Sequence, residues 1–177
     1  MQSARLSYEE SCKRLQPKFI DEGSFPPMPQ RRPQANDEEP HGVSFFRTFV
    51  GEGEDLSNLT LPRTFFGRSE IDDASFKNTD LSESNLCWND FTDVDFTDAT
   101  LTGADLRASN YCRVNFTSAD LTNADLRGSW FKDCNFDGTR MIGATLTRDQ
   151  ITKLNLSDRQ RAEISWTDDT GPEPAGG

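Results

Sequence analysis

The stretch ADLRASNYCRVNFTSADLTNADLRG, Ala104–Gly128, carries a large apolar residue at every fifth position: Leu106, Tyr111, Phe116, Leu121 and Leu126. Followed outward, the series is unbroken. Upstream it runs through Leu101, Phe96, Phe91, Leu86, Leu81, Phe76, Ile71, Phe66 and Leu61 to Leu56; downstream it runs through Phe131, Phe136, Met141 and Leu146 to Ile151. A helix repeats near 3.6 residues and a strand near 2, so a period of five fits neither. It requires a backbone that turns a corner every five residues and returns one side chain, the centre, to the interior each time.

Two flanking positions share the period. The residue two before the centre is usually small, as at Ala74, Thr79, Ser84, Ala99, Ala104, Ser109, Ala119, Ala124 and Ser129, with Val94, Val114 and Cys134 modestly larger. The residue just before the centre is often Asp or Asn, as at Asp80, Asn85, Asp90, Asp95, Asp105, Asn110, Asn115, Asp120, Asp125 and Asn135. Small and large inward positions fill a narrow tube, and Asp or Asn side chains bond nearby backbone at turns.

At a spacing of twenty the centres fall into four columns. The first is Leu61, Leu81, Leu101, Leu121 and Met141; the second Phe66, Leu86, Leu106, Leu126 and Leu146. The third is Ile71, Phe91, Tyr111, Phe131 and Ile151; the fourth Phe76, Phe96, Phe116 and Phe136. Two faces are thus aliphatic and two largely aromatic. Coils one β-spacing apart, about 4.8 Å, stack the fourth column into a ladder of phenylalanines.

The units ADLRA from Ala104, ADLTN from Ala119 and ADLRG from Ala124 resemble the pentapeptide repeat family, whose consensus is A-(D/N)-L-x-x. The resemblance spans residues 55–151 and is specific for fold and unspecific for function. It implies an all-β solenoid, a right-handed quadrilateral parallel β-helix, here of about five coils with short helical elements at both ends.

A solenoid has open ends that must be covered. Residues 1–22 are predicted to hold a short helix or arm, with Ser7 and Glu10 as a capping box. Residues 23–42 hold five prolines and read as a linker. Residues 43–55, which include VSFFRTFV, form a cap strand over the first coil, and residues 56–151 are the β-helix itself. An alternative for residues 1–42 is an arm that reaches a partner. Residues 152–166 are predicted to cap the far end, with Ser157 and Gln160 as a second capping box and Ile164 and Trp166 closing the last coil. The tail, residues 167–177, is expected to be disordered.

The 177 residues suffice for one domain, and 33% hydrophobic content is enough for so narrow an interior. A net charge of −11 disfavours direct nucleic-acid binding and favours a basic protein partner. Cys12, Cys87, Cys112 and Cys134 have no CxxC spacing and one histidine, His41, beside them, so neither a metal nor any other cofactor is expected. The thiols read as reduced and the chain as cytoplasmic. Neither a secretory h-region nor a membrane span is legible.

No GxSxG, HExxH, P-loop or GxGxxG is present, so no catalytic residue is assigned and no enzyme is expected. A hydrolase using surface carboxylates is the enzymatic alternative. The outward positions say more. On the third face Glu70, Asp72 and Asp73 stand one coil from Asp90 and Asp93, and Asp95 and Asp98 continue the cluster around the corner. Asp72, Asp73, Asp93 and Asp98 are expected to lie off the turn position. Solvent screening makes such acids tolerable; alternatively they steer a basic partner. The second face carries Arg68, Arg107, Arg127 and Arg148 with Trp88, while Phe65 and, on the third face, Trp130 replace the usual Asp or Asn. Such residues are interface anchors, or they pack against the N-terminal segment.

The expectation is a non-enzymatic protein-binding module, a bacterial immunity protein that occludes the basic active site of a toxin. The resemblance implies an alternative, since some family members mimic DNA and protect DNA gyrase. A passive scaffold in a secretion or assembly complex is a second alternative.

Overall fold

The computed structural model describes residues 4–16, 18–20, 26–34, 37, 42–150 and 152–168. Among these residues two short α-helices, one 3-10 turn (Arg148–Gln150) and nine short strands alternate with turns: α1 (Tyr8–Leu15), β1 (Phe49–Val50), β2 (Glu54–Asp55), β3 (Glu70–Asp72), β4 (Ala74–Ser75), β5 (Asp90–Thr92), β6 (Asn110–Cys112), β7 (Trp130–Lys132), β8 (Thr145–Thr147), α2 (Asp158–Glu163) and β9 (Ser165–Thr167). All pairing is parallel. The third face is a five-stranded sheet in the order β1-β3-β5-β6-β7, with Glu70 facing Asp90, Asp90 facing Asn110 and Asn110 facing Trp130. Isolated bridges at the same spacing of twenty, such as Asp80 to Thr100 and Asp105 to Asp125, tie the other faces together. The architecture is a parallel β-solenoid of about six turns.

The extra turn over the five expected lies in residues 43–55. Phe49 pairs with Glu70, one residue further than the spacing of Glu70 to Asp90. Glu52 and Gly53 are both left-handed, at φ 61° and 77°, and this additional corner residue absorbs the difference. Phe45, Val50 and Leu56 are buried like later centres, and the Phe45 ring stacks on Phe66 at 4.5 Å.

The corner has one recurrent conformation. From Asn58 to Gly143 the residue two after every centre is left-handed, with φ between 50° and 69°. The centres between these corners are buried. Aromatic centres stack down the rod: Phe76, Phe96, Phe116 and Phe136 at 5.2, 5.4 and 5.1 Å, and Phe91, Tyr111 and Phe131 at 5.0 Å per step. Stacked and edge-on aromatic pairs at such distances add to the stabilisation from burial itself.

The small residues two before the centre hold the coils together as well as filling space. Asn89 donates to the Phe66 carbonyl and accepts the Ser69 N–H. Ser109 donates to the Leu86 carbonyl at 2.9 Å and accepts the Asn89 N–H at 3.0 Å. Ser129 repeats the pattern on Leu106 and Ser109. Gln150 ends this column, its amide reaching the carbonyls of Leu126 and Ser129 at 3.1 and 2.8 Å. Gln160 does the same for Phe136 and Thr139. Each glutamine stands in for the next coil, which would otherwise satisfy those carbonyls.

Both helices start on capping boxes, Ser7 with Glu10 and Ser157 with Gln160. Helix α1 buries Cys12 and Leu15, Phe19 sets its ring 5.2 Å from Phe45, and the Ser11 hydroxyl accepts the Thr60 N–H. Leu154, Leu156 and Ile164 are buried at the other end, and Trp166 pairs with Leu146 within the β8–β9 pair. His41, Ile151 and the tail from residue 169 lie outside the described residues.

Candidate protein-binding surface

The third face differs from the other three. On those, the Asp or Asn before the centre folds back and accepts the N–H two residues ahead: Asp80 from Ser82, Asn85 from Cys87, Asp95 from Thr97 and Asp120 from Thr122, at 2.9–3.1 Å. On the third face the backbone is in the extended sheet, and the side chains at this position stand out from it. Phe49, Glu70, Asp90, Asn110 and Trp130 form one exposed column.

This reverses the expected sorting of the acids. Asp73, Asp93 and Asp98 occupy left-handed corners, at φ 50°, 53° and 59°, so they do lie at a turn position. Asp is among the residues that tolerate this region, which gives all three a backbone reason. Asp72 is half-buried in β3. Glu70 and Asp90 make no backbone turn; Asn110 donates to Asp90 at 2.6 Å.

Two of the expected acids are neutralised within the chain. Arg113 grips Asp93 with two bonds of 2.6 Å, and these hold the Asp93 carboxyl below its usual range. Burial raises the Asp95 carboxyl, but bonds from Thr97 and from Lys77, 2.9 Å away, outweigh it and leave it lowered. Asp98 accepts a long bond from Arg5 at its backbone carbonyl. Among the described residues the carboxylates of Glu70, Asp72, Asp73, Asp90 and Asp98 form no ion pair; the first four lie together on the third face and its following corner and constitute the free acidic surface.

The second face is largely covered. Residues 26–34 run along it with Pro29 and Pro33 buried. Arg63 donates to the Pro29 carbonyl at 2.9 Å, Asn85 to that of Pro33 at 3.5 Å, and Arg32 lies 3.9 Å from Asp105. Phe65 is only 2% exposed, with its ring 5.5 Å from Phe46, so it is not an available anchor. Cys87 is buried beside it, and this burial pushes its thiol up to about 12. Arg107 and Arg127 are not free either: each folds back onto the aspartate two residues earlier, Asp105 or Asp125, through two bonds of 2.7–2.9 Å. Arg148 lies 3.4 Å from Asp168. Of the expected Arg and aromatic anchors, Arg68 and Trp130 are exposed, and Trp88 is half-buried with the Arg68 guanidinium 5.6 Å from its ring centre.

Sequence reasoning missed Phe46 and Phe49, 42% and 55% exposed. Both lie upstream of the extra corner residue and so outside the period of five. Among the described residues no group of His, Cys, Asp and Glu is placed to hold a metal, and no helix is long and apolar enough to cross a membrane. A cavity of about 220 Å³ between Phe131, Cys134, Lys153 and Leu154 contains a thiol, but burial raises the Cys134 thiol, so it is not poised as a nucleophile.

The profile described as Pentapeptide repeats matches in eight copies, over residues 55–87, 69–107 and 113–148, which together make up half of the chain. The chain belongs to the pentapeptide repeat family. HetL, a pentapeptide repeat protein involved in heterocyst differentiation regulation from the cyanobacterium Nostoc sp. strain PCC 7120, superposes with a TM-score of 0.55 at 20% identity. That match covers 58% of this chain and 48% of HetL, so the chain spans about half of that protein's length. A pentapeptide repeat protein from the Arabidopsis thaliana thylakoid lumen is 32% identical over 64% of this chain and 72% of that one, with a TM-score of 0.44. QnrB1, a plasmid-mediated fluoroquinolone resistance protein, is 15% identical over 70% of this chain and 79% of that one, with a TM-score of 0.20. HetL shares the fold; the other two superpositions are too slight to bear an argument. No curated protein matches the chain in sequence.

Proposed function

We propose that this pentapeptide repeat protein is a non-enzymatic binding module of the cytoplasm, an immunity protein that docks a protein toxin and occludes its basic active site. The observation that carries the reading is the free acidic surface of Glu70, Asp72 and Asp90 on the parallel sheet and Asp73 at the corner that follows it, unpaired with any cation among the described residues. Like charges one coil apart repel. A basic partner removes that repulsion and is steered toward it. Rigidity supports the same reading, since a filled solenoid presents its surface with little ordering cost on binding. Co-purification of the tagged chain from its native host tests it. A basic protein recovered at about one-to-one is the expected result, and recovery of no stoichiometric protein would refute the proposal.

The net charge of −11 on a rod favours a second reading, a DNA-like protector of DNA gyrase. A supercoiling assay decides it, because a protector alters the response of gyrase to its inhibitors at micromolar protein. Absence of any effect removes this option.

A further inference from the structure

The corner between the second and third faces holds a feature that the acidic surface does not explain. Arg47, Arg68 and Trp88 occupy this corner on three successive coils, at φ 52°, 56° and 58°. The Arg47 N–H donates to the Gly67 carbonyl at 2.9 Å, which fixes the first coil on the second. The Arg47 guanidinium lies 5.1 Å from the Phe46 ring centre, and that of Arg68 lies 5.6 Å from Trp88. Neither forms an ion pair among the described residues, whereas Arg63, Arg107, Arg113 and Arg127 each pair with a carboxylate. In a chain of net charge −11, two adjacent guanidiniums over rings and without an ion pair among the described residues form a local cationic spot.

The neighbouring rings are seated, not loose. A Cβ on Gly51 would lie 2.5 Å from the Phe49 ring, and one on Gly67 would lie 2.8 Å from the rings of both Phe46 and Phe65. The two exposed phenylalanines are therefore seated against glycines, Phe46 also with its ring 5.5 Å from that of Phe65. Aromatic and Arg side chains held rigid before binding are the make-up of interface hot spots, because little side-chain freedom remains to be lost.

We infer that Phe46, Arg47, Phe49, Arg68 and Trp88 form a docking surface for an acidic protein segment that carries apolar side chains beside its carboxylates. Charge complementarity selects the occupant: carboxylates pair with the two free guanidiniums, and apolar groups cover the two rings. A polyphosphate strand fits the guanidiniums equally well, but its many charges meet the repulsion of the whole acidic rod. Phe49 pairs with Glu70 across the sheet, so the corner adjoins the free acidic surface. The inference rests on the reading as a protein-binding module and adds that the partner presents an acidic, apolar element next to its basic region.

Fluorescence anisotropy of a labelled peptide that alternates glutamate and leucine, titrated with the full chain, tests the inference. Saturable binding is expected, weakened about tenfold or more by Arg47→Gln with Arg68→Gln and also weakened by Gly51→Ala, which displaces the Phe49 ring. The double variant must keep the wild-type melting temperature. Equal binding of a lysine–leucine peptide, or indifference to all three substitutions, overturns the inference. A single-stranded oligonucleotide that binds more tightly at the same residues overturns it in favour of nucleic acid. Co-purification separates the two levels. A partner retained equally by wild type and the double variant leaves the binding module standing and removes this corner, whereas no partner for wild type removes the module itself.

Discussion

Asn89 accepts the backbone N–H of Ser69 from the preceding coil at 2.8 Å while its amide donates to the carbonyl of Phe66. One side chain thus satisfies two buried backbone groups of a coil to which it does not belong. Substitution Asn89→Leu leaves both unpaired inside the rod. Each buried polar group left without a partner costs roughly 1–3 kcal/mol. Urea denaturation is expected to show a loss of about 2–6 kcal/mol for the two groups together, and an unchanged midpoint would mean that the column is not a fastening.

Glycine substitution at a corner is expected to act with the opposite sign from its usual effect. Ala108 is exposed, at φ 51°. The left-handed region costs an L-residue about 1–2 kcal/mol, and glycine adopts it freely at an entropic cost of roughly 0.5–1 kcal/mol. Ala108→Gly is therefore expected to stabilise the chain slightly, by up to ~1 kcal/mol. A destabilisation measured by the same denaturation experiment would contradict the corner conformation.

The sequence made the interior almost completely legible, because a centre that points inward has no alternative at a period of five. Over the described residues the four columns are the four stacks observed, with Ile151 outside them, and the Phe76-to-Phe136 ladder lies where spacing put it. The surface was less legible, for two physical reasons. First, the residue before the centre behaves differently on the sheet face, where extended backbone leaves Glu70 and Asp90 free, while Asp73, Asp93 and Asp98 are corner residues. A period cannot distinguish a face that turns from one that extends. Second, Phe65, Arg107 and Arg127 look like free anchors until the contacts are seen: Phe65 is buried with its ring beside that of Phe46 from the preceding coil, and aspartates two residues back hold the others. Gly53 hid the first turn by adding one residue to a corner.

Phe116 tests the core itself. It is fully buried, stacked between Phe96 and Phe136 at 5.4 and 5.1 Å. Loss of a buried aromatic costs about 3–5 kcal/mol, and Phe116→Asp adds an unpaired buried carboxylate. Thermal unfolding monitored by circular dichroism is expected to show collapse of the native transition. A soluble variant with wild-type melting would contradict the inward placement.

Stability is expected to fall in acid. The Asp55 carboxyl is lowered chiefly by its bond from Ser57, and that of Asp93 by Arg113. Groups whose folded pKa lies below the unfolded value make the native state bind fewer protons. Their contribution is therefore complete above the ordinary carboxylate range, near 4, and is lost as pH falls through the lowered values. Melting temperatures measured from pH 7 down to pH 2 should decline across that window, and Arg113→Gln should flatten part of the decline. A profile that is level or rising toward acid would contradict the role of these pairs.

The central claim is that the free acids of the sheet face meet a basic partner. Isothermal titration of the co-purified protein with wild type and with a Glu70→Lys/Asp90→Lys chain tests it most directly. The account predicts an affinity that weakens with added salt for wild type and is lower by tenfold or more for the variant at low salt, with unchanged melting of the chain itself. Equal affinity for the two proteins, independent of salt, would contradict it.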